Sequence, residues 1–72
     1  HRNAKPEDLG LTERQAEVLA LMASGKSNRN IADLLGLTEG TVKIHVTAIF
    51  KALGVTSRTQ AMVVLARQKI RL

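Results

Sequence analysis

The sequence predicts an all-α fold, a compact domain of four helices. Apolar residues recur at helical spacing in four segments, whereas an alternating strand pattern of useful length is absent. Each segment follows a serine or threonine that can cap a helix, and three segments end at a glycine. Phe50 is the single aromatic residue among 72. The interior must therefore consist of aliphatic side chains, which favours packed helices.

The first ten residues differ from the rest of the chain. Residues 1–10 are mostly polar, contain Pro6 and lack apolar periodicity, which is typical of a linker or flexible N-terminal segment. The folded domain is therefore expected to span residues 11–72. A single domain of this size is close to the lower limit for a core without metal or disulfide support.

The first predicted helix begins near Glu13. Thr12 and Gln15 have the spacing of a capping box, in which each side chain pairs with the backbone N–H of the other residue. Gly25 supplies a left-handed stop after this helix. The buried residues expected here are Leu11, Val18, Leu19 and Met22.

The second and third predicted helices are joined by a very short link. Ser27 caps the second helix, Thr38 caps the third, and the third ends at Gly54. The link of Gly36, Leu37 and Thr38 forces a sharp angle, which indicates a helix-turn-helix unit. In such units the second helix lies in the DNA major groove and the first crosses the phosphate backbone. The second predicted helix runs through Ile31, Ala32, Leu34 and Leu35.

The third predicted helix has two different faces. Its apolar stripe is typical of a helix that packs on a core and consists of Val42, Val46, Ile49, Phe50 and Leu53. The opposite side, with its flank, consists of Gly40, Lys43, Ile44, Thr47, Ala48 and Lys51. A solvated helix face normally carries several charges, whereas this one combines small residues, one isoleucine and lysines at its edges. It is suited to contact with a flat, negatively charged surface.

This helix has dimensions that fit a DNA groove. At about 1.5 Å per residue it would span roughly 22 Å, enough to cross a major groove about 12 Å wide. Lys43 can donate to guanine O6 and N7, Ile44 can contact a thymine methyl group, and Thr47 can reach either kind of base edge. Lys51 lies farther along and is better placed for a phosphate.

The fourth predicted helix opens at Ser57 and Gln60, which have the spacing of a second capping box, and continues to about Lys69. Its apolar residues form two stripes. One consists of Ala61, Val64 and Leu65, and the other, rotated away from it, of Met62, Val63, Ala66 and Ile70. The second stripe is either ordinary exposed surface or a small symmetric dimer contact, and we favour the dimer contact.

The chain is strongly basic, with eleven Lys and Arg against six Asp and Glu and a formal charge of +5. Such an excess favours polyanionic partners, although it also suits a merely soluble basic domain. The sequence has no cysteine and no apolar run near the ~20 residues of a membrane span. His45 lacks neighbouring ligands for a metal site. We therefore expect a soluble, cytoplasmic protein that binds no cofactor or metal and is not an enzyme.

The run LTERQAEVLALMASGKSNRNIADLLGLTEGTVKIHVTAIFKALGVTSRTQA resembles the C-terminal DNA-binding domain of the LuxR/NarL/FixJ (GerE-like) transcription regulators. The likeness covers Leu11 to about Ala66, and TVKIHVTAIFKALGV is its most discriminating part. The resemblance implies a four-helix domain that binds duplex DNA as a dimer. It also implies that the third helix reads the major groove and that the fourth forms the dimer contact.

The resemblance also implies roles for individual residues. Lys43, Ile44 and Thr47 match base-reading positions of the family. Positions that commonly touch phosphate are matched by Asn28, Thr41, His45, Lys51 and Arg58. Many relatives have a basic or amide residue at the position of Ile44 or Thr47, so the bases read here cannot be inherited from a relative.

Relatives in this family carry an N-terminal receiver or ligand-sensing domain, which this chain does not contain. We therefore expect the chain to be a fragment or a stand-alone effector domain, with residues 1–8 as an interdomain tether. The partners that the resemblance implies are double-stranded DNA and a second copy of the chain, with RNA polymerase as a further candidate.

Two alternatives remain open from the sequence. The promoter-reading region of a bacterial sigma factor has similar segments, but it usually ends soon after the third helix, so the capped fourth helix argues against it. A helical protein-interaction module would use Ile44 and the fourth helix to bind a protein partner. Paired carboxylates, an activated nucleophile and a phosphate-binding glycine loop are all missing from the sequence, which argues against an enzyme.

Overall fold

The computed structural model describes residues 9–68, which form four helices and no strand. Their bounds are α1 Glu13–Ala23, α2 Asn28–Leu35, α3 Glu39–Leu53 and α4 Arg58–Gln68. The all-α, four-helix prediction is confirmed. The predicted tether over residues 1–8, the end of the fourth helix at Lys69, and Ile70 lie outside the described residues.

The predicted capping box of α1 is present. The Gln15 backbone N–H donates to Thr12 Oγ1 at 3.1 Å, and the Thr12 backbone N–H donates to Gln15 Oε1 at 3.0 Å. Both N–H groups would otherwise lack a partner, because the first turn of a helix has no preceding carbonyl groups. The start of α1 at Glu13 follows from these two bonds.

The start of α4 differs from the predicted capping box. The Gln60 backbone N–H donates to Ser57 Oγ at 3.2 Å, as expected for a capping serine. The Gln60 side chain, however, does not return to the Ser57 N–H. Its Oε1 accepts from the Thr56 backbone N–H at 2.8 Å and from the Thr56 hydroxyl at 3.1 Å. Thr56 provides two donors, its N–H and its hydroxyl, whereas Ser57 would provide only its N–H. The Gln60 side chain therefore bonds to the residue before the capping serine.

The turn between α2 and α3 has the predicted length of three residues. Gly36 ends α2 in the left-handed region, with φ 68° and ψ 35°. The Leu37 N–H donates to the Ala32 carbonyl at 2.9 Å, and Leu37 packs against the core. The Thr38 hydroxyl then accepts from the Thr41 N–H at 3.1 Å and starts α3. Each residue of the link therefore has a local partner that fixes the angle between the two helices.

The third helix packs against each of the other three helices, and α1 also packs against α2. Its buried residues Val42, Val46 and Ile49 belong to the predicted apolar stripe, and Phe50 packs against the core beside them. The buried hydrophobic core is formed by Leu11, Val18, Leu19, Met22, Ile31, Ala32, Val42, Val46 and Ile49. Because the core holds one side of α3, its opposite side is left facing outward.

Two apolar residues take positions that their sequence pattern did not define. Leu34 of α2 is 60% exposed, whereas Ile31 and Ala32 of the same helix are buried. Met62 of α4, which belongs to the stripe predicted to form a dimer contact, is half-buried and packs against the core. None of the helices within residues 9–68 is long and apolar enough to cross a bilayer.

Candidate nucleic-acid interface

The outward side of α3 carries the residues that sequence reasoning selected as base readers. Lys43, Ile44 and Thr47 are all exposed, and Ile44 keeps 70% of its surface in solvent. Together with Gly40 they line one shallow hollow of about 270 Å³. The structure thus brings the three predicted residues together, and it adds Gly40 to them.

The exposure of Ile44 follows from the way α3 is held. Val42, Val46 and Ile49 recur at helical spacing and are buried, so Ile44, midway between Val42 and Val46, points the other way. Ile44 is the most exposed large apolar residue among residues 9–68. A single exposed apolar residue is ordinary, but this one lines a shallow hollow and is next to a lysine. That setting suits a ligand with an apolar edge and negative charge nearby.

The Thr47 hydroxyl is already engaged within the helix. It donates to the Lys43 carbonyl oxygen at 3.0 Å, one helical turn earlier. A hydroxyl has one proton and two lone pairs, so Thr47 in this state presents an acceptor oxygen and a methyl group. In this state Thr47 can accept a hydrogen bond from a base edge or make an apolar contact with it, but it cannot donate.

Lys43 and Lys51 supply free positive charge on α3. Both side chains are exposed, and the one ion pair found within residues 9–68 joins Arg14 and Glu17 on α1. Neither lysine of α3 is therefore neutralised by a carboxylate of the described chain. Lys51 also lies in the last turn of the helix, where a cation is favourable to the helix dipole.

The start of α2 is tied to the start of α4 by Arg58. Its Nη1 donates to the Lys26 carbonyl oxygen at 2.8 Å, and its Nη2 donates to Asn28 Oδ1 at 3.3 Å. Because the Asn28 oxygen accepts this bond, the amide NH₂ of Asn28 remains a donor for another group. The guanidinium has five N–H donors, so Arg58 keeps further donors as well.

Thr41 and His45 are half-buried on the flanks of α3. The Thr38 hydroxyl donates to Thr41 Oγ1 at 3.0 Å, which leaves the Thr41 hydroxyl proton for another acceptor. Thr41 thus can donate outward from the first turn of the helix, where the backbone also favours anions. Within residues 9–68 no group of three or more His, Cys, Asp and Glu side chains could hold a metal ion, so His45 has no coordinating partners there.

Comparison with known families agrees with this geometry. Residues 9–65 match the model of the family described as "Bacterial regulatory proteins, luxR family". The chain belongs to this luxR family. It is a helix-turn-helix DNA-binding domain of the response-regulator type, and a transcription-regulator domain rather than an enzyme.

Several curated relatives are similar to this LuxR-family domain. It is 52% identical over 60 residues to the transcriptional regulatory protein LnrK of Bacillus subtilis, covering 82% of this chain and 27% of LnrK. It is 41% identical over 59 residues to the nitrate/nitrite response regulator protein NarP of Escherichia coli, covering 82% of this chain and 27% of NarP.

A solved structure has the same fold. The response regulator ChrA of a heme-sensing two-component system matches with a TM-score of 0.75 and 39% identity, covering 82% of this chain and 29% of ChrA. The chain therefore spans less than a third of the length of each of these relatives.

In this LuxR-family domain α4 presents a narrow apolar strip. Val63 is 44% exposed and Ala66 is exposed, whereas Met62 is half-buried. Ala61 is fully buried and Leu65 packs against the core, as their stripe predicted. Of the four residues predicted to form a dimer contact, two are thus outward-facing, Met62 is shared with the core, and Ile70 lies outside the described residues.

Two features of the site were not predicted from the sequence. Gly40 was placed on the outward side of α3 but not among the site residues, although a glycine inside a helix is a signal in itself. The bond between Arg58 and Asn28 joins residues that are far apart in sequence. No local pattern could have indicated that contact.

Proposed function

We propose that this chain recognises specific sequences of double-stranded DNA by inserting α3 into the major groove, and that it does so as a dimer. The observation that carries the proposal is the exposed Ile44, flanked by Lys43 and Thr47, on the side of α3 that faces away from the core. A hydrophobic side chain beside free cations suits a base edge between two phosphate backbones.

The size of α3 supports insertion. Its 15 residues span roughly 22 Å at 1.5 Å per residue, and the major groove is about 12 Å wide. The three base-reading residues lie in the N-terminal and central part of the helix, which is the part that recognition helices present to base edges. Gly36 ends α2 in the left-handed region, and the short turn after it is of the kind that lets the first helix of a helix-turn-helix unit cross the backbone while the second lies in the groove.

Each base-reading residue has a definite chemistry. Lys43 donates to an acceptor such as guanine O6 or N7. Ile44 contacts the methyl group of thymine. Thr47, whose proton is held by the Lys43 carbonyl, accepts from the amino group of cytosine or adenine or makes an apolar contact.

The phosphate contacts surround this helix. The residues proposed for them are Asn28, Thr41, His45, Lys51 and Arg58. Asn28 and Thr41 retain free donors at the starts of α2 and α3, and Lys51 carries an unneutralised charge. Contacts of this kind fix the register of the protein on the duplex and make affinity depend on salt.

The dimer contact is proposed for α4. Val63 and Ala66 form its outward apolar part, Met62 borders it, and Ile70 extends the same stripe in sequence. A two-fold contact requires a patch that meets itself, and a narrow strip on one helix satisfies that requirement. Such a small contact would hold the dimer weakly until DNA aligns both copies. The bound site would then be an inverted repeat.

We also propose an additional domain and a protein partner for the full-length regulator. LnrK, NarP and ChrA are regulators much longer than this chain, and NarP and ChrA are response regulators. We therefore place a receiver or ligand-sensing domain before this one in the full protein, and RNA polymerase among its partners. The family of bacterial regulatory proteins supports action in the cytoplasm, where bacterial DNA lies.

Selection of bound duplexes from a random library tests the proposal. The expected result is enrichment of an inverted repeat of two short half-sites, separated by about one helical turn of DNA or a multiple of it. Enrichment of one unpaired half-site would remove the dimer from the proposal. If all duplexes bound with equal, millimolar affinity, sequence-specific recognition would be abandoned.

A further inference from the structure

Gly40 has no structural reason to be a glycine. The other four glycines of the chain have positive φ, a conformation that other residues rarely adopt, but Gly40 does not. Apart from the adjacent residues and the backbone of α3, a Cβ atom built on Gly40 would meet only Thr38 Oγ1, at 3.8 Å, which is an ordinary van der Waals distance. Neither the backbone nor the surrounding packing therefore excludes alanine at this position.

Glycine also weakens the helix that contains it. Gly40 lies in the first turn of α3, where it loses more backbone freedom on folding than alanine would. A residue that lowers helix stability without an intramolecular gain suggests a constraint from outside the chain. Close approach of a ligand to the backbone is a physical reason for such a glycine.

The missing side chain opens a specific space. Gly40 and Ile44 are one turn apart on the same side of α3, and both line the hollow with Lys43 and Thr47. The walls of this hollow are mainly apolar. Apart from residues 39 and 41 and the backbone of α3 itself, only Thr38 Oγ1 lies within 4 Å of the site where a Gly40 Cβ would stand. An alanine methyl group would therefore occupy part of the hollow itself.

Resting on the DNA-reading function proposed above, we propose that this hollow receives the C5-methyl group of a thymine. In this account Gly40 is a specificity-determining residue, because its lack of a side chain leaves room for that methyl group. Ile44 supplies apolar surface to the hollow, and Lys43, which also lines it, supplies a positive charge.

The chemistry of the hollow matches the edge of thymine. In the major groove thymine presents its methyl group beside the O4 acceptor. Lys43 can donate to O4 while the methyl group lies against Ile44, and the Thr47 proton, held by the Lys43 carbonyl, does not require a partner there. Cytosine has no methyl group and presents an amino donor, which an ammonium group cannot accept. The hollow therefore favours thymine over cytosine.

The test removes one methyl group from the DNA and, separately, adds one methyl group to the protein. In the duplex obtained by selection, each thymine is replaced in turn by uracil, which lacks only the C5-methyl group. Affinities of the native chain and of Gly40→Ala are measured by fluorescence anisotropy. For the native chain we expect one thymine per half-site at which uracil lowers affinity about fourfold, as for the loss of one buried methyl group. For Gly40→Ala we expect the order to reverse, with uracil bound better than thymine.

A second variant gives an independent readout. Ile44→Ala removes the apolar surface that Ile44 supplies to the hollow and should bind the thymine and uracil duplexes equally. Ile44 is 70% exposed, so this variant is expected to fold like the native chain. Thermal unfolding followed by circular dichroism checks that both variants are folded, and Gly40→Ala should be at least as stable as the native chain.

The results distinguish failure of the thymine-methyl contact from failure of the proposed sequence-specific DNA recognition. Uniform weak binding to every duplex would overturn sequence-specific reading and this inference with it. Clear sequence discrimination without any uracil effect would overturn only the methyl contact. The same conclusion would follow if Gly40→Ala weakened binding to thymine and uracil duplexes by the same factor, or if the selected half-site contained no thymine.

Discussion

Arg58 of α4 donates a hydrogen bond to the side-chain oxygen of Asn28 in α2, at 3.3 Å. A second bond, from Arg58 to the Lys26 carbonyl at 2.8 Å, holds the same segment. The start of the helix proposed to cross the DNA backbone is thus fixed to the start of the helix proposed to form the dimer. Asn28 is also oriented so that its amide NH₂ is free for an acceptor.

This relationship predicts energetic coupling between the two residues in DNA binding. Arg58→Ala should weaken binding more than Lys51→Ala, because it removes a cation and also the group that orients Asn28. A double-mutant cycle of Asn28→Ala and Arg58→Ala, measured by anisotropy, should give a coupling of about 0.5 kcal/mol or more. Lys51→Ala with Asn28→Ala is the control pair. Additive effects in both cycles would show that Arg58 does not position Asn28.

The two lysines of α3 should have different effects on recognition. Lys43→Ala should relax discrimination at one base position by about 1–3 kcal/mol, because it removes a donor to a base edge. Lys51→Ala should weaken binding to all sequences alike and lower the magnitude of the log–log salt slope by about 0.9 for each copy bound. Titrations of matched and mismatched duplexes at several salt concentrations measure both quantities. Equal losses of discrimination in the two variants would contradict the assigned roles.

The turn between α2 and α3 should depend on Gly36. Gly36→Ala forces a side chain into the left-handed region at φ 68° and should lower the free energy of unfolding by about 1–2 kcal/mol. Gly40→Ala is the matched control, since the residue lies in α3 without positive φ and should leave stability unchanged or raise it. Urea denaturation of both variants measures the difference. Equal destabilisation would mean that Gly40 has a structural role after all.

A charge on the outward strip of α4 should disrupt pairing on DNA. Val63→Asp would bring two carboxylates together across the two-fold contact, so affinity for a duplex with two half-sites should fall about tenfold or more. Affinity for a single half-site should not change. Leu34→Asp introduces the same charge at another exposed apolar residue and serves as the control. A decrease on both duplexes, or in both variants, would argue against a contact at Val63.

The helix boundaries could be predicted because their causes are local. Thr12 with Gln15, Ser27, Thr38, Gly36 and Gly54 act within one or two turns, and the structure has each of them at a helix end. Where two neighbouring residues can accept the same side chain as a partner, the sequence pattern does not show which of them it bonds to. The Gln60 side chain bonds to Thr56 instead of Ser57, since Thr56 provides both an N–H and a hydroxyl.

The remaining features depend on contacts between distant residues. Met62 packs on the core because of how α4 lies against α3, which helical spacing alone does not define. The Arg58 to Asn28 bond and the exposure of Leu34 have the same origin. The outward face of α3 was predictable because the opposite face is so clearly apolar. The hollow could not be predicted from the sequence, because it depends on where three side chains lie around a glycine that has none.

The contact between Ile44 and the bases can be measured directly. An isotopically labelled chain is mixed with the selected duplex, and intermolecular nuclear Overhauser effects are recorded from the Ile44 methyl groups. Insertion of α3 predicts effects to base protons that face the major groove. Ile44 methyl groups without any DNA contact, while protons of another helix show effects to the bases, would contradict the proposed recognition by α3.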